Sequence, residues 1–264
     1  MIIPYITPTQ QLIPKQIYKF RFINRLQIQK LLNHKDKRRI NSWLKDLVVK
    51  QYLEKVPKNN SFEERTKLTI YRIGSNGIRF LKTHPEFSLE IIRKLYKDGE
   101  RFDNFVNQSI LLVDIYLSLT AMNDDKNRKV YEVTTKSDLA SIDSSLHFLK
   151  ELNPDLVYKE VHKYKKEITN KYNLLEVFEP TLPNYSIKKR IRTYLDFYFS
   201  NLWEDNIKEA FPILKFICPS KAQLIYAKRY AKRLLEENQN PEDLHLQFVT
   251  IMDVKELGIT ISNR

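Results

Sequence analysis

The feature that most constrains the fold is a basic stretch of 36 residues, from Lys15 to Lys50, in which charge coincides with helical spacing. It contains eleven lysines and arginines against two acids, so it carries nine of the chain's thirteen net positive charges. Within it, apolar residues recur at the i, i+3, i+4, i+7 spacing of a helix packed on a core: Ile40, Trp43, Leu44 and Leu47. The pattern predicts a helix over 36–49 with a buried face, which includes Trp43, and an opposite basic face.

A shorter helix is predicted before this one, with Asn24 as its N-cap and a break at Asn33-His34. Strand-like segments follow at 51–54 and 68–73, separated by a polar tip. Two helices and a two-stranded hairpin are typical of a winged helix-turn-helix, whose second helix enters the major groove of DNA. The alternative is a solvated charged face on an ordinary helical domain, but the charge, the helix order and the hairpin together favour DNA binding. The predicted DNA contacts are Lys35, Lys37, Arg38, Arg39, Asn41, Ser42, Lys45, Lys58, Arg65 and Lys67.

Length and composition set broader limits. With 264 residues, 42% of them hydrophobic, the chain can form one large domain or two modest ones with their own cores. No apolar run approaches the ~18 residues of a membrane span and the first residues lack a signal-peptide pattern, so we expect a soluble cytoplasmic protein with no membrane partner. Four glycines form no phosphate-binding loop, and five scattered histidines form no paired metal motif. The single cysteine, Cys218, is predicted to pack within a strand.

The periodicity changes after the hairpin. Helical spacing over 86–122 is followed by strand-like segments at 130–134, 155–158, 173–178, 212–218 and 246–251, with helical stretches at 185–207 and 221–237. We therefore predict an α+β protein in three parts. These are a winged-helix domain over 1–83, a helical connector with the first helix of the second domain over 84–125, and an α/β domain over 126–264.

Short motifs in both halves of the chain carry a family resemblance. The first half contributes the segments 17–23 and 70–79, and the second contributes 152–155, 175–177, 190–194 and 211–214. These motifs resemble the replication-relaxation family of plasmids and other mobile elements. The resemblance implies a winged helix followed by a PD-(D/E)xK nuclease-like domain. It also implies a DNA-binding protein that acts in replication, its control or transfer.

A nuclease of that fold needs an Asp and a Glu on adjacent strands, whose oxygens hold the Mg²⁺ that activates water. Asp155 and Glu176 fit this pattern as catalytic and metal-binding residues. The lysine expected two residues after the glutamate is replaced by Phe178, so Lys189 or Arg190 would have to supply the cation. The sequence therefore favours a nuclease-like domain that does not cut. The alternative is a Mg²⁺-dependent DNA endonuclease that uses Asp155 and Glu176.

Plainer interpretations of the two acids stay open at this point. Asp155 also suits a turn before a strand, and Glu176 also suits an exposed strand face. No cofactor is expected unless the site is active, in which case it is Mg²⁺. The expected partner is double-stranded DNA, and further candidates are a protein partner bound through the second domain and a homodimer of the chain.

Overall fold

The chain is an α+β protein that divides into two compact units, Met1–Leu117 and Ser118–Arg264. The structure, a computed structural model, describes residues 3–57, 67–123, 129–141, 144–164, 167–257 and 259. Each unit has its own sheet.

The first unit is built on a small antiparallel sheet in the order β1-β3-β2. Capping boxes start its first two helices, since Thr7 pairs with Gln10 and Asn24 pairs with Gln27, as the N-cap prediction for Asn24 required. Its described elements are α1 (Pro8–Phe20), β1 (Ile23–Asn24), α2 (Arg25–Leu31), α3 (Lys37–Val49), β2 (Leu53–Lys55), β3 (Ile70–Ile73), α4 (Ser75–Lys82), α5 (Leu89–Leu95), a 3₁₀ turn (Asp98–Glu100) and α6 (Asp103–Ala121), which continues into the second unit.

The core of the first unit reaches further along the chain than the predicted boundary at residue 83. Ile40, Leu44 and Leu47 of α3 are buried in it, as their spacing predicts. Ile92 of α5 and Val113 of α6 belong to the same cluster. Residues of the predicted connector over 84–125 thus pack into the first unit, because α5 and α6 bury apolar side chains in its core.

A close contact joins the end of α3 to the start of α4. Asn76 Nδ2 donates to the carbonyl of Lys50 at 2.8 Å, and a Cβ on Gly77 would lie 2.3 Å from the carbonyl oxygen of Tyr52. Only glycine fits at position 77 without displacing backbone. The segment 74–77, which the glycines indicate as a break, is therefore an N-cap at Gly74 followed by the first turn of α4.

The second unit is a five-stranded mixed sheet with helices in its connections. The strand order is β4-β5-β6-β7-β8; the first three strands are antiparallel and the last three parallel. All five predicted strands of this region are present. The elements are β4 (Lys129–Thr135), α7 (Lys136–Leu139), a 3₁₀ turn (His147–Lys150), β5 (Leu156–Tyr164), β6 (Glu167–Val177), α8 (Asn184–Phe199), α9 (Leu202–Ile207), β7 (Ile213–Cys218), α10 (Lys221–Glu237), β8 (Leu246–Thr250) and a 3₁₀ segment (Ile251–Leu257).

One sheet face and the helices α8 and α10 enclose the core of this unit. Phe178, which stands where the nuclease lysine would be, is buried there and stacks on Phe216 with ring centroids 5.7 Å apart. Cys218 is fully buried, as predicted, and burial raises the pKa of its thiol to about 12. The helix predicted over 185–207 is interrupted because Asn201 adopts a left-handed conformation with φ of 58°.

Candidate functional site

The helix α3 exposes the basic face that its spacing predicts. Every predicted contact residue on this helix and its leading turn is exposed: Lys35, Lys37, Arg38, Arg39, Asn41, Ser42 and Lys45. Lys67 is also exposed, whereas Lys58 and Arg65 lie outside the described residues. We call the seven exposed residues from Lys35 to Lys45 the α3 face.

Two local contacts fix the position of α3. The side chain of Asp36 caps the helix by accepting hydrogen bonds from the backbone N–H groups of Arg39 and Arg38, and these bonds lower the pKa of Asp36. Toward the other end, Asp46 Oδ2 accepts from Gln10 Nε2 at 2.8 Å and from Lys50 Nζ at 2.9 Å. The face is thus carried by a capped helix tied to α1.

The structure separates cations that have partners from cations that do not. Lys15 pairs with Glu86 at 3.3 Å, Arg21 pairs with Asp98, and Lys50 pairs with Asp46. Within the described part of the chain, no acid pairs with the five cations of the α3 face. Unpaired exposed lysines and arginines are the groups that bind phosphate oxygens. The basic stretch therefore offers a narrower surface than its charge count indicates.

Trp43 lies at the border between this face and the core. It packs against the core, as the stripe predicts, but it is only partly buried. Its ring meets His34 edge-on with centroids 5.0 Å apart, and the Arg39 guanidinium lies 5.9 Å from the ring centroid. The ring therefore contacts residues at the start of α3, next to the exposed cations of the α3 face.

The two acids of the second unit come together in one buried cluster. Asp155 directly precedes β5, and the pairing of Leu156 with Leu175 brings it next to Glu176 on β6. Asp155 Oδ1 lies 2.6 Å from Lys136 Nζ, and Oδ2 accepts from the backbone N–H of Val177 at 2.7 Å. Asp155 and Glu176 are 4% and 9% exposed, so Glu176 is not the exposed strand acid of the plainer interpretation.

Helix α8 supplies the partners of Glu176. Arg190 donates from Nε to Oε1 at 2.8 Å and from Nη2 to Oε2 at 2.7 Å, and the hydroxyl of Tyr194 donates to Oε2 at 2.9 Å. Arg190 also donates to the carbonyls of Leu152 and Asn153 at 2.6 and 2.9 Å. The predicted catalytic residue Lys189 is exposed on the same helix, and its neighbour Arg190 enters the cluster in its place.

Burial dominates the electrostatics of this cluster. Burial, together with the charge on Asp155, raises the pKa of Glu176, while Arg190 acts in the opposite direction. Burial alone would lower the pKa of Arg190, but the charge of Glu176 outweighs it and raises that pKa. Because all three donors to Glu176 require an acceptor, the hydrogen bonds match an ionised carboxylate beside a protonated guanidinium.

The residues present do not fit Mg²⁺ as the nuclease chemistry needs it. Each oxygen of Asp155 and Glu176 already accepts a hydrogen bond or ion pair from this chain. Lys136 and Arg190 balance the two negative charges, so little net attraction remains for a divalent cation. Across the described residues, no group of three or more Asp, Glu, His or Cys side chains is arranged to hold a metal ion.

A second buried polar group was not anticipated. Lys215 is 6% exposed in β7, and its Nζ lies 2.6 Å from the hydroxyl of Tyr158. Burial lowers the pKa of Lys215 to about 8, although Glu160 acts to raise it. Nearby, Asn173 is fully buried and donates to Glu160 at 3.3 Å, while its Oδ1 has no hydrogen-bond partner. The sequence feature that could have predicted this buried group is the lysine within the otherwise apolar run Ile213–Cys218.

Sequence reasoning also missed Lys136, which lies at the start of α7, where the sequence predicts no element.

In the described part of the chain, no helix has both the length and the apolar character needed to cross a membrane. No known family, curated protein or solved structure matches the chain.

Proposed function

We propose that this protein binds double-stranded DNA through the α3 face, and that its second unit is a nuclease-like domain that does not cut. The element order α1-β1-α2-α3-β2-β3, with β3 central in the sheet, supports a winged-helix arrangement. In that arrangement α3 is the recognition helix. The hairpin between β2 and β3 would contact phosphates through Lys58, Arg65 and Lys67.

The observation that carries the proposal is the unpaired charge of the α3 face. Its five cations lie within eleven residues, are exposed and have no acidic partner among the described residues. Asn41 and Ser42 lie among them and can hydrogen-bond to base edges or phosphates. An ordinary solvated helix face usually carries charges of both signs, whereas the only acid at the start of this helix is occupied in its cap.

The non-catalytic assignment rests on the ion cluster, in which two cations neutralise two buried acids: Lys136, Asp155, Glu176 and Arg190. A working PD-(D/E)xK site keeps its carboxylates available to a metal and adds a lysine for the attacking water. Here Lys136 and Arg190 occupy the carboxylates, and Phe178 is part of the core. In keeping with the family resemblance, we propose that the protein serves replication, its control or transfer in a plasmid or other mobile element.

The central experiment measures the affinity of the full chain for mixed-sequence duplex DNA across a salt series. The double substitution Arg38→Ala with Lys45→Ala should lower the affinity and reduce the salt slope by about two units, one for each lost phosphate contact. The matched control is Arg93→Ala with Lys97→Ala, which removes the same charge, one arginine and one lysine, from exposed positions on α5 and just after it. Equal salt slopes for the two variants would refute the assignment of α3.

A cleavage assay tests the second half of the proposal. Supercoiled DNA incubated with the protein and Mg²⁺ or Mn²⁺ should remain intact. Cleavage that disappears in both Asp155→Asn and Glu176→Gln would instead establish the endonuclease alternative. These near-isosteric changes remove charge with little change in volume, and circular dichroism confirms that each variant is folded.

A further inference from the structure

A second positively charged surface lies on α8 and α10 of the second unit. These helices contain nine lysines and arginines against three acids. Arg190 is used in the ion cluster, and Lys232 and Arg233 lie 3.7 and 3.5 Å from glutamates one turn further along. Among the described residues, no acid pairs with the other six. We call them the α8–α10 surface: Lys188, Lys189, Arg192, Lys221, Lys228 and Arg229.

Aromatic contacts align the two helices. The Lys188 ammonium group lies 5.5 Å from the ring centroids of both Tyr226 and Tyr230, so one lysine of α8 bridges to two turns of α10. Arg192 follows Lys188 by one helical turn, and Arg229 follows Tyr226 by three residues. Both arginines are exposed, and this spacing puts each on the same side of its helix as a residue of the Lys188–tyrosine contact. The two helices therefore expose cations on either side of that contact.

The chemistry of this surface fits a polyanion better than a membrane. Ile191 of α8 and Ala227 and Leu234 of α10 are buried in the core, so neither helix has its main apolar face available for insertion into lipid. Outside the core, the two helices expose lysines, arginines and Tyr185, which has 71% of its surface exposed, and the exposed large apolar side chains are limited to Phe199 and Ile225, at 47% and 48%. Exposed cations on two packed helices, next to a lysine held between aromatic rings, suit the phosphates of a nucleic acid.

We propose that the α8–α10 surface binds the phosphate backbone of DNA, as a contact additional to the α3 face. The inference extends the proposed function to the second unit and shares with it the choice of DNA as the ligand. Phosphate contacts are independent of sequence, so this surface adds affinity and salt dependence without reading bases.

The test compares Arg192→Ala with Arg229→Ala against a control that removes two lysines of the same unit from other elements, Lys171→Ala with Lys255→Ala. All four residues are exposed. Alanine favours helix, so folding of the arginine variant should be preserved, and circular dichroism checks it. We expect the arginine variant of the full chain to lose about two units of salt slope on mixed-sequence duplex DNA. The control should bind like the parent.

The α3 variant, Arg38→Ala with Lys45→Ala, is measured in parallel so that the two proposals fail separately. A salt slope that falls only in the α3 variant overturns the α8–α10 surface and leaves the proposed function intact. A slope that falls only in the arginine variant supports this surface and refutes the α3 face. A parent chain that binds no DNA refutes both. Binding to phosphatidylserine vesicles that the arginine variant loses, with DNA affinity unchanged, would overturn the choice of nucleic acid.

Discussion

The α3 face and the ion cluster of the second unit use the same kinds of side chain in opposite ways. On α3, arginines and lysines are exposed and lack acidic partners among the described residues. In the cluster, Arg190 makes five hydrogen bonds to Glu176, Tyr194 and two carbonyls, and Asp155 has its own lysine. Unsatisfied cations remain available for an external anion, whereas satisfied ones hold the fold together. Whether a cation has an acidic partner therefore distinguishes a surface free to bind an anion from a structural cluster better than the number of charges does.

The largest expected effect comes from removing Arg190. Arg190→Ala leaves the ionised Glu176 buried without its main partner, which should cost about 3–5 kcal/mol of unfolding free energy. Urea denaturation measures it. Lys189→Ala is the matched control, because that side chain is the exposed neighbour on α8, and its cost should stay within about 0.5 kcal/mol. Equal stabilities for the two variants would show that the cluster is not structural.

The next effect concerns Lys215, whose pKa in the folded chain is about 8 against its ordinary value of 10.5. Since the folded pKa is the lower one, the unfolded chain binds the extra proton between these values, and stability from this group rises with pH across that window. The parent should gain about 2–3 kcal/mol relative to Lys215→Met as the pH rises from 8 to 10.5. A constant difference between the two denaturation curves would contradict the assignment.

A smaller effect is expected at Trp43. Because its ring is half-buried, Trp43→Ala should cost about 2 kcal/mol, less than the ~3–5 kcal/mol of a fully buried tryptophan. Leu44→Ala, at the 1% exposed neighbour, should cost about 2–5 kcal/mol and provides the scale. Thermal and urea denaturation give both values. A larger loss at Trp43 than at Leu44 would place the ring in the core after all.

The smallest stability effect should come from the α3 face itself. Arg38→Ala with Lys45→Ala removes two exposed charges that have no acidic partner in the described structure, so the unfolding free energy should change by no more than about 0.5 kcal/mol. The same variant is expected to lose DNA affinity. A large loss of stability would mean that these side chains make structural contacts, and it would contradict the distinction drawn between the α3 face and the ion cluster.

Local patterns predict much of this fold. The stripe in α3, the Asn24 cap and the five strands of the second unit all follow from spacing within short windows. The helix α1 was not predicted from the sequence, although Thr7 and Gln10 form a capping box. Pro14 lies inside this helix, and a proline at that position normally argues against a helix. Apolar residues beyond residue 83 carry no sign of which core they join.

The partners within the ion cluster depend partly on local phase and partly on tertiary structure. Arg190 follows the buried Ile187 by three residues and precedes the buried Tyr194 by four, so helical phase alone favours it over Lys189 for a site beneath α8. Lys136 is different, because it precedes Asp155 by nineteen residues and meets it only through the pairing of β4 with β5. Such a contact needs the strand register, which sequence patterns here do not fix.

The two tryptophans of the chain give each unit its own fluorophore. Trp203 is 2% exposed and donates from Nε1 to the carbonyls of Glu209 and Ala210, so its emission should resemble that of an indole shielded from water. Trp43 is partly buried beside Arg39, on the border of the α3 face. With Trp203→Phe, the remaining emission would report on α3 alone, and its wavelength and quenching could follow occupancy of that face without an attached dye.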